Sequence, residues 1–337
     1  MRTKFLRSLF GALGLLAAFG AAQGAQAAQE VSITRQPGIL YMPTHIIEKQ
    51  RLIEKHAARL GLQDVTTRWL TLSGGGAQTD ALLSGGVDIV VTGTGNLLLL
   101  WDRTRGGVKG IVAISAQPLA LISRDPRIQS LKDIGPGDKI AVPTVKVSTQ
   151  AILLQMAAAQ LYGPDQWSTL DANTVQLGHP DAAAAMSNPQ HEIRNHFAAP
   201  PFQYIEMKSV PGAHVVVQSP DIIGGPLSQG QFFTTTKFAD ANPKVIEAVR
   251  AASAEAHELI RKDTRAAVEI YKEITGDKTS VEDLLAWLGE PGMMEWNLQP
   301  QGTMKFAEHL HKIGTLKTKP QSWKDFYLPV AHDLHGS

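Results

Sequence analysis

Short β-rich runs alternate with amphipathic stretches that stop at glycine through the first third of the chain. Residues 31–34 predict a first strand. Pro43 then occupies a position tolerated in the first turn of a helix, and Ile46, Ile47, Gln50 and Ile53 carry a helix that ends near Gly61. Strands are expected at 65–72, 87–91 and 108–114, with helices at 77–83 and 97–103 between them. A second series starts after Gln117. It has a connecting strand at 119–123, a turn at Arg124-Asp125-Pro126, strands at 139–142, 175–177 and 215–218, and helices at 148–161 and 181–186. From Phe232 onward the pattern is mainly helical, at 243–261, 264–275, 281–288 and 302–313. Repeated strand–helix units favour parallel sheets covered by helices, an α/β fold.

The amino-terminal residues have a different pattern. Arg2, Lys4 and Arg7 precede an apolar run at 9–22, and Ala25-Gln26-Ala27 has the small-x-small form of a cleavage site. Residues 1–28 are expected to be a secretory signal peptide cleaved near Ala27, because the run is shorter than the roughly 20 residues of a spanning helix. Removing three basic residues and no acidic ones leaves 29 Lys and Arg against 31 Asp and Glu. No basic stripe is visible, so nucleic acid is not an expected partner. The cysteine count of 0 excludes disulfides, thiol catalysis and lipidation of a cysteine.

Roughly 310 remaining residues exceed what one hydrophobic core usually holds, which predicts two lobes. Residues 29–117 with 230–337 are assigned to lobe I and 118–229 to lobe II. Crossing segments near 117–121 and 219–229 would form the hinge, and the helical tail would pack back on lobe I. Ligands of open α/β sheets collect at the carboxyl ends of strands. There the loops 73–77, 92–96 and 144–149 are rich in Gly, Ser and Thr. Glycine admits a ligand to the backbone, and a helix N-terminus offers N–H donors at a positive dipole end. Each loop taken alone reads equally as a turn with a helix cap; three converging loops point to an anionic or strongly polar small molecule.

The order of several blocks resembles the soluble receptors of ABC importers for nitrate, taurine and aliphatic sulfonates, a group related in fold to thiamine-pyrimidine synthases. The blocks are Leu82-Leu83-Ser84-Gly85-Gly86-Val87-Asp88-Ile89 followed by Thr92-Gly93, Ile140-Ala141-Val142-Pro143, His179-Pro180-Asp181-Ala182 with Ala184-Ala185-Met186, and Trp323-Lys324-Asp325-Phe326-Tyr327. The resemblance implies a type II periplasmic binding protein, exported to the periplasm and monomeric. Its two lobes would close over a small solute and deliver it to an inner-membrane permease. It carries pocket positions onto Tyr41, the loop Ser73, Gly74, Gly75 and Gly76, Thr94 and Asn96, and Ser148 with Thr149. Between Ser187 and Phe202 the chain departs from the usual pattern, and His196 and Phe202 become candidates for the second wall. A purely structural role is the alternative for His196. A sensor partner, or a pyrimidine-related binding protein or enzyme on the same fold, are the other readings.

Enzyme signatures are weak. His191 and His196 lie about 140° apart on an ideal helix and do not form a zinc chelate. Gly225-Pro226-Leu227-Ser228-Gln229-Gly230 mimics a nucleophile elbow with its first glycine one position early. Gly93-x-Gly95 lacks the third glycine of a dinucleotide fingerprint, and no phosphate-binding loop occurs. Neither a catalytic role nor a cofactor is expected. Among cations, Arg35, Arg124 and Arg127 are the candidate anion partners, because guanidinium binds oxyanions bidentately.

Overall fold

The computed structural model describes residues 29–72 and 74–337. Residues 1–28, the expected signal peptide, and Ser73 lie outside the described residues. The first run of elements is β1 (Gln29–Arg35), α1 (Met42–Lys49), α2 (Leu52–Arg59), β2 (Val65–Thr71), α3 (Gly75–Leu83), β3 (Ile89–Thr92), α4 (Thr94–Arg103) and β4 (Val108–Ser115). The second run is β5 (Ala120–Ser123), β6 (Ile140–Val142), α5 (Thr149–Tyr162), β7 (Thr174–Gln176), α6 (His179–Ser187), β8 (Asn195–Ala198), α7 (Phe202–Ser209), β9 (His214–Gln218) and α8 (Ser219–Ile223). The chain then returns through β10 (Gly230–Thr235), α9 (Thr236–Ala241), α10 (Pro243–Lys262), α11 (Thr264–Thr275), α12 (Val281–Leu288) and α13 (Thr303–Lys312).

Two five-stranded sheets result, ordered β2-β1-β3-β10-β4 and β7-β6-β8-β5-β9. They share one plan. In each, the first strand (β1 or β6) is parallel to its two neighbours, and one strand arriving from the other half of the molecule inserts antiparallel near the far edge. That inserted strand is β10 in the first sheet and β5 in the second. The sheets are therefore mixed rather than purely parallel, because each crossing chain enters its new sheet from the opposite end. The crossings also bond to one another: Ser219 N–H donates to the Leu119 carbonyl at 2.8 Å, and Gln229 N–H to that of Ser115 at 2.8 Å.

Three stretches depart from the sequence expectation. The helix expected from Pro43 to near Gly61 is two helices, broken where Arg51 takes a left-handed φ of 50°. Gly230–Thr235 is a buried central strand at the start of the tail, and Asn195–Ala198 with Phe202–Ser209 form a strand and a helix within the stretch that carried no assignment. Apolar residues at every position of a doubly covered strand erase the period-2 signal. The tail does return to the first sheet. α10 packs on α1 and α2, and Tyr327 lies against Gly110 of β4, where a Cβ would overlap its ring. No described helix is long and apolar enough to cross a membrane.

Candidate functional site

In both sheets the strand order reverses between the first and third strands, and the ends of those strands meet across a cleft. Gln36 follows β1, Thr92 ends β3, Pro143 follows β6 and Ala199 follows β8; all four line one cavity. This is where ligands bind in open α/β sheets, here with two switch points facing each other. Leu119 and Gln229, from the two crossings, close its back. Two larger grooves of about 510 Å³ lie on the outer surface of the first half, away from these strand ends.

Four helices present their first turns to the cavity through Gly75 of α3, Gly93 and Asn96 of α4, Ser148, Thr149 and Gln150 of α5, and His179 of α6. At α3, α4 and α6 the residue preceding the helix is glycine and no side chain caps the backbone. The orphan N–H groups of those turns remain available to a ligand, reinforced by the helix dipoles. Only α5 is capped, by Ser148 Oγ accepting from Ala151 N–H at 3.3 Å. Three buried polar atoms of the lining have no partner: Asn96 Nδ2, Thr149 Oγ1 and Gln229 Nε2. Two are obligate donors and the third can donate, and buried donors are normally satisfied. No Lys, Arg, Asp or Glu lines the cavity.

The enclosed space is about 30 Å³, enough for about two waters. Glycine permits this close approach. A Cβ on Gly93 would sit 2.5 Å from Thr149 Oγ1, and one on Gly95 would overlap Ile152 Cδ1 and the Val147 carbonyl across the cleft. On the first wall, Gln36 Nε2 donates to Tyr41 Oη at 2.9 Å and to the Val91 carbonyl at 3.0 Å, fixing both side chains. Burial holds the Tyr41 hydroxyl well above its ordinary value, so it stays protonated. Leu40 adds apolar surface beside it.

Behind the second wall runs a polar chain. Gln150 Nε2 lies 3.2 Å from His179 Nε2, His179 Nδ1 lies 2.8 Å from His196 Nε2, and His196 Nδ1 lies 2.5 Å from Glu206 Oε1. Phe202 stacks on the His179 ring at 5.6 Å between centroids. Burial and the neighbouring His196 hold His179 well below the ordinary imidazole value, and burial alone brings His196 down to about 3. Burial pushes the Glu206 carboxyl up to about 9. Both directions favour a hydrogen bond between neutral groups over an ion pair at the His196–Glu206 contact.

Of the residues expected from sequence, Tyr41, Gly75, Asn96, Ser148 and Thr149 line the cavity. Gly74 and Gly76 stand just outside, facing Pro143 and Thr144 across the cleft. Thr94 Oγ1 donates instead to the Ser228 carbonyl at 2.5 Å, tying α4 to the second crossing. His196 is fully buried and reaches the cavity only through His179, and Phe202 touches it only by stacking on that ring. The three arginines are engaged elsewhere. Arg35 pairs with Glu48, Arg124 donates to carbonyls of residues 188, 189, 191 and 193, and Arg127 bridges Asp125 and Asp138. Sequence reasoning missed Gln36, Gln150, His179 and Gln229. Gln36 had a readable signal: strand alternation turns it away from Arg35, toward the switch point. His179 and Glu206, 27 positions apart, had none.

No protein-family profile matches the chain, and no curated protein matches it. Solved structures do. The alkanesulfonate-binding protein of Xanthomonas axonopodis pv. citri, bound to MOPS, superposes with a TM-score of 0.67 at 16% identity, covering 91% of this chain and 98% of that one. The periplasmic aliphatic sulphonate binding protein of Escherichia coli gives 0.64 at 18%, covering 89% and 99%. The periplasmic nitrate-binding protein of Synechocystis PCC 6803 gives 0.66 at 14%, covering 88% and 85%. The chain has the periplasmic binding protein fold of these sulfonate- and nitrate-type receptors, with two α/β halves.

Proposed function

We propose that this chain is an exported, non-catalytic receptor of an ABC importer that captures a small solute bearing an oxyanion head, such as a sulfonate, carboxylate or nitrate-like ion. The observation that carries the reading is the set of partnerless buried donors, Asn96 Nδ2, Gln229 Nε2 and Thr149 Oγ1, among the uncapped first turns of α3, α4 and α6. Such a set matches a ligand rich in acceptors, and the dipole ends supply positive potential where no side-chain cation does. The shared fold with sulfonate- and nitrate-binding proteins supports the same reading.

In this reading the two halves are lobes that move about residues 117–121 and 219–229. The solute stabilises the closed form by touching both walls, and an inner-membrane permease recognises that form. Gln36, Asn96 and Tyr41 would hold it from one side, and Thr149, Gln150 and His179 from the other. A cavity of about 30 Å³ seats little more than an oxyanion head, so the organic body of a larger solute holds the lobes further apart. The receptor works as a monomer in the periplasm.

A thermal-shift screen of sulfonates, carboxylates, nitrate, pyrimidines and amino acids tests the proposal. A micromolar binder at millimolar concentration stabilises the folded state by about 4 kcal/mol. One oxyanion class giving a saturable shift, with the compound recovered unchanged, is the expected result. Conversion of the compound, or a response confined to cations, would overturn it.

A further inference from the structure

We propose that His179, His196 and Glu206 form a proton relay that decides which end of the Gln150 amide faces the cleft, and that oxyanion binding requires one proton to be held on this relay. The inference rests on the receptor reading above and concerns the regulation of the same cavity.

A neutral imidazole has one N–H and one lone pair, so two of them in line between Gln150 and Glu206 admit two arrangements that leave no N–H or O–H without an acceptor, since a proton on the partnerless Glu206 Oε2 would have none. In the first, Glu206 is ionised and accepts from His196 Nδ1–H, His196 Nε2 accepts from His179 Nδ1–H, and His179 Nε2 accepts from the Gln150 amide. The Gln150 carbonyl is then left for the cavity. In the second, Glu206 carries a proton and donates to His196 Nδ1, His196 Nε2–H donates to His179 Nδ1, and His179 Nε2–H donates to Gln150 Oε1. The Gln150 NH₂ is then left for the cavity. The arrangements differ by one proton on Glu206 and by the tautomer of both rings; no imidazolium forms in either. Only the second presents a donor to an oxyanion, and only the second avoids a buried negative charge behind the ligand.

Gln150 Nε2 facing His179 corresponds to the first arrangement, and the second turns the amide over; the surroundings of Glu206 favour the second. Glu206 is buried, and its Oε2 has no hydrogen-bond partner, which suits a neutral carboxyl and not a carboxylate. No cation compensates it. On α7 the other charged group is Lys208, which pairs with Asp283 at the surface. On α6 it is Asp181, exposed; beside β8, Arg194 pairs with Asp125. β5 and β6 carry no titratable residue, nor does the first turn of α5. Burial alone accounts for the raised Glu206 and the lowered His196, and burial with the neighbouring His196 for the lowered His179.

The linkage has a definite sign. Below about pH 9 Glu206 keeps its proton and the donor arrangement persists; above it, affinity for an oxyanion falls toward about tenfold per pH unit. The test uses nitrate and methanesulfonate, which stay singly charged from pH 6 to 10, titrated calorimetrically into the wild-type protein and Glu206→Gln. Gln can donate to His196 but has no proton to lose, so a profile flat to pH 10 is expected, against the alkaline fall of the wild type. In parallel, long-range ¹⁵N–¹H NMR of labelled histidines should show Nε2–H on both rings at pH 7, inverting to Nδ1–H at pH 10 only in the wild type. Should Glu206→Gln not fold, His179→Gln severs the relay at its cavity end and is expected to flatten the profile too. Parallel pH profiles for wild type and variant, or an Nδ1–H His179 at pH 7, would overturn the relay and leave the receptor reading standing. No binding of any solute by the wild type at any pH would overturn the receptor reading itself.

Discussion

On the first-sheet side of the cleft the polar groups are amides anchored to backbone or left free at a helix start: Gln36 is tied to Val91 and Tyr41, while Asn96 keeps an unpartnered Nδ2. On the second-sheet side they are hydroxyls, a glutamine and an imidazole whose partners continue inward to Glu206. The cores behind them differ in the same sense. Fully buried Phe232, Phe233, Phe306, Phe326, Tyr271, Tyr327 and Trp296 surround the first sheet, whereas Phe197 is the counterpart in the second, beside a cluster containing Ala120, Ala141, Ala182, Ala185 and Ala198. One half is built on large aromatic side chains, with amide donors held at a helix start or tied to the backbone. The other is built on small side chains around a polar chain whose polarity, in the proposal above, is set by a proton.

The largest expected effect is of acid on the first half. Burial, with Arg35 adding to it, brings His45 down to about 3, and burial with Arg261 brings His257 down to about 4. Both stay neutral when folded but gain protons when unfolded below about 6.5, so their stability is intact above that pH and lost as pH falls toward 4, on the order of several kcal/mol together. In the second half the lowered His179 and His196 act in the same direction, and Glu206 opposes them. Its raised value makes it most favourable to folding below about 4.5, with that contribution lost as pH rises toward about 9. Hydrogen exchange at pH 5 against pH 7 should show β1 and β3 losing more protection than β5 and β8; equal losses would break the contrast.

Next in size, Phe232→Ala should lower global stability by about 3–5 kcal/mol in denaturant melts, and a cost below about 1 would show that the first core is not rigid. Gly95→Val places a branched side chain against Val147 and Ile152 and should weaken solute binding by about 10- to 100-fold. Unaltered affinity would mean that the walls need not meet. Asn96→Ala should cost about tenfold in affinity and leave stability alone. Ser148→Ala is expected to be different, because Ser148 also caps α5: about 0.5–2 kcal/mol of stability should go with the binding loss.

Much of the fold was legible because β1 to β4 and α3 to α5 are bounded by glycines and caps that act locally. Pro243, Thr264 and Val281 likewise begin α10, α11 and α12 where expected. β10 was not legible, since Phe232 and Phe233 are fully buried and give no alternation. The cleft was half legible. The glycine-bounded turns announced helix starts with open N–H groups, but nothing in the spacing of His179, His196 and Glu206 announces that α6, β8 and α7 bring them into line. That convergence is a product of tertiary packing.

Closure over a solute held by both walls is the central claim, and the absence of cysteine makes it directly measurable. Spin labels on Lys237→Cys and Asp165→Cys, exposed positions in opposite halves, give an interlobe distance by pulsed electron resonance. Saturating the strongest oxyanion from the screen should replace a broad distribution by a narrower, shorter one, and Gly95→Val should prevent the change. A distribution that stays fixed while the solute binds would contradict the account.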